Sequence, residues 1–318
     1  MKSLRRATAL LLILVMALSL SSCAGVKDYL WPEPTTAAPG APTSNITVIP
    51  GSTIYDIAKE LEKGKVCSAE SFLKAANNIP AGYDTLLDGL GDVSDYVFAA
   101  EGYILPETYN MFQNRDGEYA IRYFLNYSQS QLNELANKAG QTVFSRAEEL
   151  DMNMREVFTL ASIIQSEANL GTSEDDYQTM RMVSSVFHNR LDSPWNYPYI
   201  GSDATRKYIQ VKLGDYFVEQ GVYKYGKDST DKNKVYEVVN KNTQNKFFDG
   251  YCTNDEYDHK IEGLPIAPIC SPTTAAIKAA LWPEDSDYYF FFTDIDNKFH
   301  FYTNYEDFQK EWNTKYKH

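Results

Sequence analysis

Leu160-Ala161-Ser162-Ile163-Ile164-Gln165-Ser166-Glu167-Ala168 closes a helical pattern that opens at Met154. Val157, Leu160, Ala161, Ile164 and Ala168 recur at three- and four-residue spacing, as one buried helical face requires. Asp151 or Asn153 can cap its start, and Gly171 lies just past its end. Glu167 follows Ile164 by three residues, Ile163 by four and Leu160 by seven, so it sits on the edge of the buried stripe. A carboxylate there loses part of its hydration. Unless a cation compensates, its pKa rises and it can hold a proton near neutral pH, as a general acid must. A glutamate at a helix end can equally turn to water or pair with Arg181 or Arg190, and position alone leaves both readings open.

The 318 residues suffice for a sizeable core and a second, smaller domain. Thirty basic against 43 acidic residues give a formal charge of -13, which disfavours nucleic acid and anionic membrane surfaces as direct partners. The 24 tyrosines and 16 phenylalanines offer ring faces for carbohydrate, although most are expected in the core. No CxxC or HExxH occurs and none of the four histidines has ligand spacing to another, so neither a metal site nor a cofactor is expected.

Lys2, Arg5 and Arg6 precede the apolar run Ala9 to Leu20, which has the form of an export signal and is short for a membrane span. Leu20-Ser21-Ser22-Cys23 resembles the bacterial lipobox, which implies cleavage before Cys23, its lipidation, and anchoring on the outer face of the cytoplasmic membrane. Trp31 to Ser44, rich in Pro, Thr and Ala, reads as a tether. Export also permits a disulfide among Cys67, Cys252 and Cys270, with Cys252 and Cys270 the closest in sequence.

Asn45 to Pro50 reads as a strand, Ile54 to Leu61 and Ser68 to Ala76 as helices, and Gly102 to Leu105 as a further strand. This βααβ unit is similar to a LysM-like glycan-binding module. Helical patterns follow over Glu118 to Lys138, from Ala147, and over Asp176 to Leu191. Val211 to Gly250 is polar and lysine-rich, the composition of a long insertion or mobile flap. Thr273 to Leu281 reads as a helix, and Tyr288 to Thr293 as a buried strand paired with Phe299 to Tyr302 through Asp296-Asn297. The expected fold is α+β: signal 1–22, tether 23–44, LysM-like module 45–112, and a mixed α/β catalytic domain 113–318 whose central helix carries the acid.

Leu160 to Glu167, Val186-Phe187-His188-Asn189-Arg190-Leu191, Ser202-Asp203-Ala204-Thr205, Gly263 to Ile269 and Ala275 to Leu281 together resemble, in order and spacing, the MltG (YceG-like) family of endolytic murein transglycosylases. Glu101 to Tyr109 is similar to that family's EGYLFPDTY stretch. The resemblance implies cleavage of the MurNAc-GlcNAc β-1,4 bond of peptidoglycan glycan strands, leaving 1,6-anhydroMurNAc ends, and association with the cell-wall synthesis machinery. It implies Glu167 as acid and then base, with Asn189, Asp203, Tyr257, Ser162, Gln165 and His300 around the sugar. Gln165 replaces a glutamate common in the family, and Ala204 replaces a proline. A packed histidine at His300, a helix-end cap at Asn189 and a turn residue at Asp203 are the alternatives. A non-catalytic peptidoglycan binder, a hydrolysing muramidase using Asp203 as second carboxylate, and a solute-binding lipoprotein are the rival functions.

Overall fold

The computed structural model describes residues 40–168 and 173–315. The chain divides after Pro42, and every element below lies in the unit that begins at Thr43. Cys23, Gly171 and the expected signal lie outside the described residues, as does all but the end of the tether.

Strand β1 (Thr43–Val48) pairs antiparallel with β2 (Glu107–Phe112), Ile46 opposite Tyr109. Between them run α1 (Ile54–Lys63) and α2 (Ala69–Asn77). Thr53 and Asp56 form a reciprocal cap on α1, which buries Ile54, Ile57, Ala58 and Leu61. The second strand starts later than the Gly102 to Leu105 expected from sequence. Gly102 has a φ of +82°, and the N–H groups of Glu101 and Tyr103 bond carbonyls three residues back. These residues form turns, Pro106 offers no N–H, and pairing begins only at Glu107.

The middle of the chain is helical. Helices α3 (Gly117–Glu134) and α4 (Val143–Glu149) precede α5 (Met154–Glu167), whose last residue is the candidate acid. Asn153, and not Asp151, caps α5, in a reciprocal pair with Glu156; Asp151 has a φ of 55° and ends the preceding turn. Every α5 residue from Val157 to Gln165 is buried, more than the single stripe the spacing suggests. Both α6 (Glu174–Leu191) and α10 (Thr274–Leu281) pack on it, which makes it a core helix.

The polar stretch after Val211 is a folded subdomain and not a bare flap. Helix α7 (Asp203–Lys207) runs into a π-helical turn (Tyr208–Lys212) and α8 (Gly214–Glu219), followed by the hairpin β3 (Tyr223–Tyr225) with β4 (Tyr236–Val238) and by α9 (Lys241–Tyr251). Phe217, Tyr223, Phe248 and Tyr251 are buried, and the Phe217 ring meets Tyr223 and Phe247 at 5.5 and 5.1 Å. Widely spaced aromatics thus anchor a segment whose average composition is polar.

The C-terminal hairpin of β5 (Phe290–Thr293) and β6 (Phe299–Tyr302) turns through Asn297 at a φ of 60°. Only Phe292 of β5 is fully buried, against expectation; α11 (Tyr305–Lys315) covers part of the hairpin with Phe308 and Trp312. Cys67, Cys252 and Cys270 are all buried and free, so the disulfide that export would permit between Cys252 and Cys270 is not formed. The Cys270 thiol instead faces Ser166 Oγ at 3.3 Å. No helix among the described residues is long and apolar enough to cross a membrane.

Candidate active site

Helix α5 is held away from its acid end by side chains the sequence had suggested for the sugar. Ser162 Oγ accepts the Ile269 N–H at 3.0 Å and donates to the Thr159 carbonyl at 2.8 Å. Gln165 Oε1 accepts both the N–H and the hydroxyl of Thr273, the cap of α10, at 3.0 and 2.8 Å. Both side chains are buried. Their expected role beside the acid is therefore corrected: they point into the core and pin α5 to the 269–273 segment.

Glu167 behaves differently. The residue is half-buried, and its Oε1 accepts the Ser202 hydroxyl at 2.6 Å. Burial holds the carboxyl above the ordinary glutamate range. The Ser202 hydroxyl, the Ala204 N–H and the nearby Lys207 charge work against that rise, while Asp203 adds to it. Neither arginine considered as a partner forms an ion pair with it. Arg181 is engaged by Glu284 at 2.8 Å, and Arg190 donates to the carbonyls of Tyr289 and Ile200 at 2.7 and 2.5 Å.

Ser202 is itself fixed. Its N–H donates to Thr253 Oγ1 at 3.2 Å, its carbonyl accepts the Thr205 hydroxyl at 2.7 Å, and Thr205 and Thr253 share a 3.1 Å contact. Arg190 holds the preceding loop, and its own guanidinium is pushed down to about 10 by burial. At Gly201, with a φ of +68°, a β-carbon would stand 2.8 Å from Arg190 Nη1, so only glycine leaves room for that contact. Sequence reasoning missed Ser202 as a partner of the acid although it sits in the same motif as Asp203. Thr253 carries no local signal.

The remaining expected residues divide. Asp203 lies beside the acid, with Oδ2 facing Arg206 at 3.3 Å and Lys207 at 3.7 Å, and Oδ1 accepting from Asn254 at 3.0 Å. Although burial alone would raise it, Arg206 and Asn254 hold Asp203 below the usual range. Tyr257 joins through Arg206, whose guanidinium lies 5.6 Å from its ring. Asn189 is corrected: its amide donates to the carbonyls of Ser286 and Tyr288 at 2.7 and 2.8 Å and fixes the approach to β5. His300 is corrected too, since it pairs with Asp294 at 2.7 Å and stacks on Phe292 at 5.1 Å within the hairpin. Among the described residues no cluster of His, Cys, Asp and Glu has the geometry to hold a metal ion.

The chain is 24% identical over 281 residues to proteins named endolytic murein transglycosylase from two strains of Streptococcus pneumoniae, D39 and R6, covering 83% of this chain and 43% of each relative. It thus spans less than half the length of these curated relatives. The crystal structure of a YceG-like protein from Listeria monocytogenes superposes with a TM-score of 0.56 at 21% identity, covering 85% of this chain and 76% of that one, a likeness of fold. The YceG-like family matches residues 35–314, nearly the whole described structure, and the chain belongs to that family.

Proposed function

We propose that the protein is an endolytic peptidoglycan lytic transglycosylase in which Glu167 serves first as acid and then as base. The observation that carries this reading is the Glu167 carboxyl itself. It is raised by burial, yet lies at a helix end with residual exposure and is oriented by Ser202 Oγ at 2.6 Å. Protonated, it gives its proton to the glycosidic oxygen leaving C1 of MurNAc. As carboxylate, stabilised by the Ser202 hydroxyl and the Ala204 N–H, it then takes the proton of the C6 hydroxyl as that oxygen bonds to C1. The sugar supplies its own nucleophile, so proximity replaces the second carboxyl a hydrolase needs. Asp203 has both oxygens engaged by Arg206, Lys207 and Asn254, which supports this route over a hydrolytic one with Asp203 as base.

The proposal includes export, lipidation at Cys23, action on the outer face of the cytoplasmic membrane alongside cell-wall synthesis, and a LysM-like glycan-binding role for the β1-α1-α2-β2 unit. Digestion of purified sacculi tests the chemistry. Wild type is expected to release anhydro-ended fragments at a rate that falls on the alkaline side, and Glu167→Gln to lower that rate about a thousandfold. Reducing ends would establish hydrolysis instead, and binding to sacculi with no product a non-catalytic binder.

A further inference from the structure

A second carboxyl, Glu101, lies fully buried where the β1-α1-α2-β2 unit meets the segments that build the acid's surroundings. Its oxygens face the Ile54 N–H, the first of α1, at 3.1 and 3.3 Å, and Oε2 pairs with the Tyr208 hydroxyl at 2.9 Å. Tyr208, also fully buried, closes α7 by donating its own N–H to the Ala204 carbonyl. The Ala204 N–H in turn reaches Glu167. A second connection leaves from the adjacent Gly102, where a β-carbon would stand 2.3 Å from Pro268 and 3.3 Å from the Cys270 carbonyl. That segment grips α5 through Ile269 N–H to Ser162 and Cys270 Sγ to Ser166, the residue before the acid.

We propose that Glu101 is a positioning residue for the reaction, holding α7 and the 268–270 segment in register with the Glu167 carboxyl through Tyr208 and Gly102. The proposal rests on Glu167 as the acid. Charged and titratable groups facing Glu101 are Asp56 on α1, Lys212 and Tyr208 on the π-helical turn, Tyr251 on α9, and the Cys270 thiol. Lys212 is turned aside to the Gly51 carbonyl at 3.1 Å. Burial pushes Glu101 up to about 8, so it is largely neutral at neutral pH. The Tyr208 hydroxyl donates to Glu101 Oε2; a glutamine cannot ionise, and with its oxygen on the Ile54 N–H its amide N–H meets the tyrosine oxygen, holding the same contact with donor and acceptor exchanged. Ionisation above pH 8 leaves an unneutralised charge in the core and loosens the register.

The test compares wild type, Glu101→Gln and Tyr208→Phe by sacculus digestion across pH 6 to 9.5 and by amide hydrogen exchange of residues 203–212. Tyr208→Phe, which retains the ring, is expected to lower kcat about tenfold with KM within about twofold, the loss of one buried hydrogen bond. Glu101→Gln is expected to match wild type below pH 8. Above it, wild type loses activity with one more proton's dependence than the variant, and its 203–212 amides exchange faster than the variant's at the same pH. Identical pH profiles, or equal exchange at pH 9.5 in wild type and Glu101→Gln, overturn the proposal. The exchange arm decides the matter even where Glu167 proves not to be an acid, because it needs no turnover.

Discussion

The surroundings of Glu101 and Glu167 differ although burial raises both carboxyls. Glu101 is enclosed on every side, and its partners, the Ile54 N–H and the Tyr208 hydroxyl, belong to two separate elements of the fold. Glu167 ends a helix, is only half-buried, and takes its donors from Ser202 and Ala204 at the start of α7, where the intervening Asp203 is half-exposed and ion-paired. Desolvation therefore does not single out a catalytic acid. What separates the two is access: Glu167 keeps the residual exposure that the proposed proton transfer to a sugar requires, whereas Glu101 is closed off from solvent.

The contrast is most open to attack through stability. Glu101 stands at about 8 in the folded protein against an ordinary 4.5, so between these values the unfolded chain binds fewer protons and wild-type stability declines as pH rises, levelling above about 8. Glu101→Gln has no such titration, so its stability relative to wild type is expected to grow by about 4 kcal/mol across that window in urea unfolding. A gap that stays constant from pH 5 to pH 9 would mean that Glu101 is solvated after all.

A smaller effect distinguishes binding from scaffolding at Asn189. Its amide nitrogen donates to two backbone carbonyls, so Asn189→Ala is expected to cost about 2 kcal/mol of stability. The KM of the folded variant for glycan strands should not move, and a rise of tenfold or more would return Asn189 to the substrate. The smallest effect sharpens the description of the acid. Because the Ser202 hydroxyl favours ionised Glu167, Ser202→Ala is expected to move the alkaline fall in kcat/KM upward by about half a pH unit, with the neutral rate within about threefold. A downward move would mean that the hydroxyl serves the protonated form.

What was legible in the sequence follows from local rules. Asn153 with Glu156 is a capping pair written within four residues, and the spacing of Val157, Leu160 and Ile164 marks α5 as a helix with one buried face and Glu167 at its edge, although its burial all round came only with packing. The antiparallel return of the last two strands and the helix after Pro272 were equally readable, since turn chemistry and periodicity act over a few residues. Family motifs marked Glu167, and Asp203 in the stretch that turns out to face it, because their order along the chain is itself sequence information.

Tertiary structure decided which way the polar side chains beside the acid point. Ser162 and Gln165 lie near Glu167 in sequence, yet their oxygens accept hydrogen bonds from Ile269 and Thr273, more than a hundred residues away. Ser202, 35 residues beyond Glu167, supplies the hydroxyl that bonds the acid instead. The physical reason is that a helix sets the angular position of a side chain but not the partner packed against that angle. Each buried donor or acceptor takes whatever the fold brings within hydrogen-bond distance. The same holds for Glu101, whose sequence shows a carboxyl before a glycine, and whose burial between α1 and Tyr208 exists only once distant segments meet.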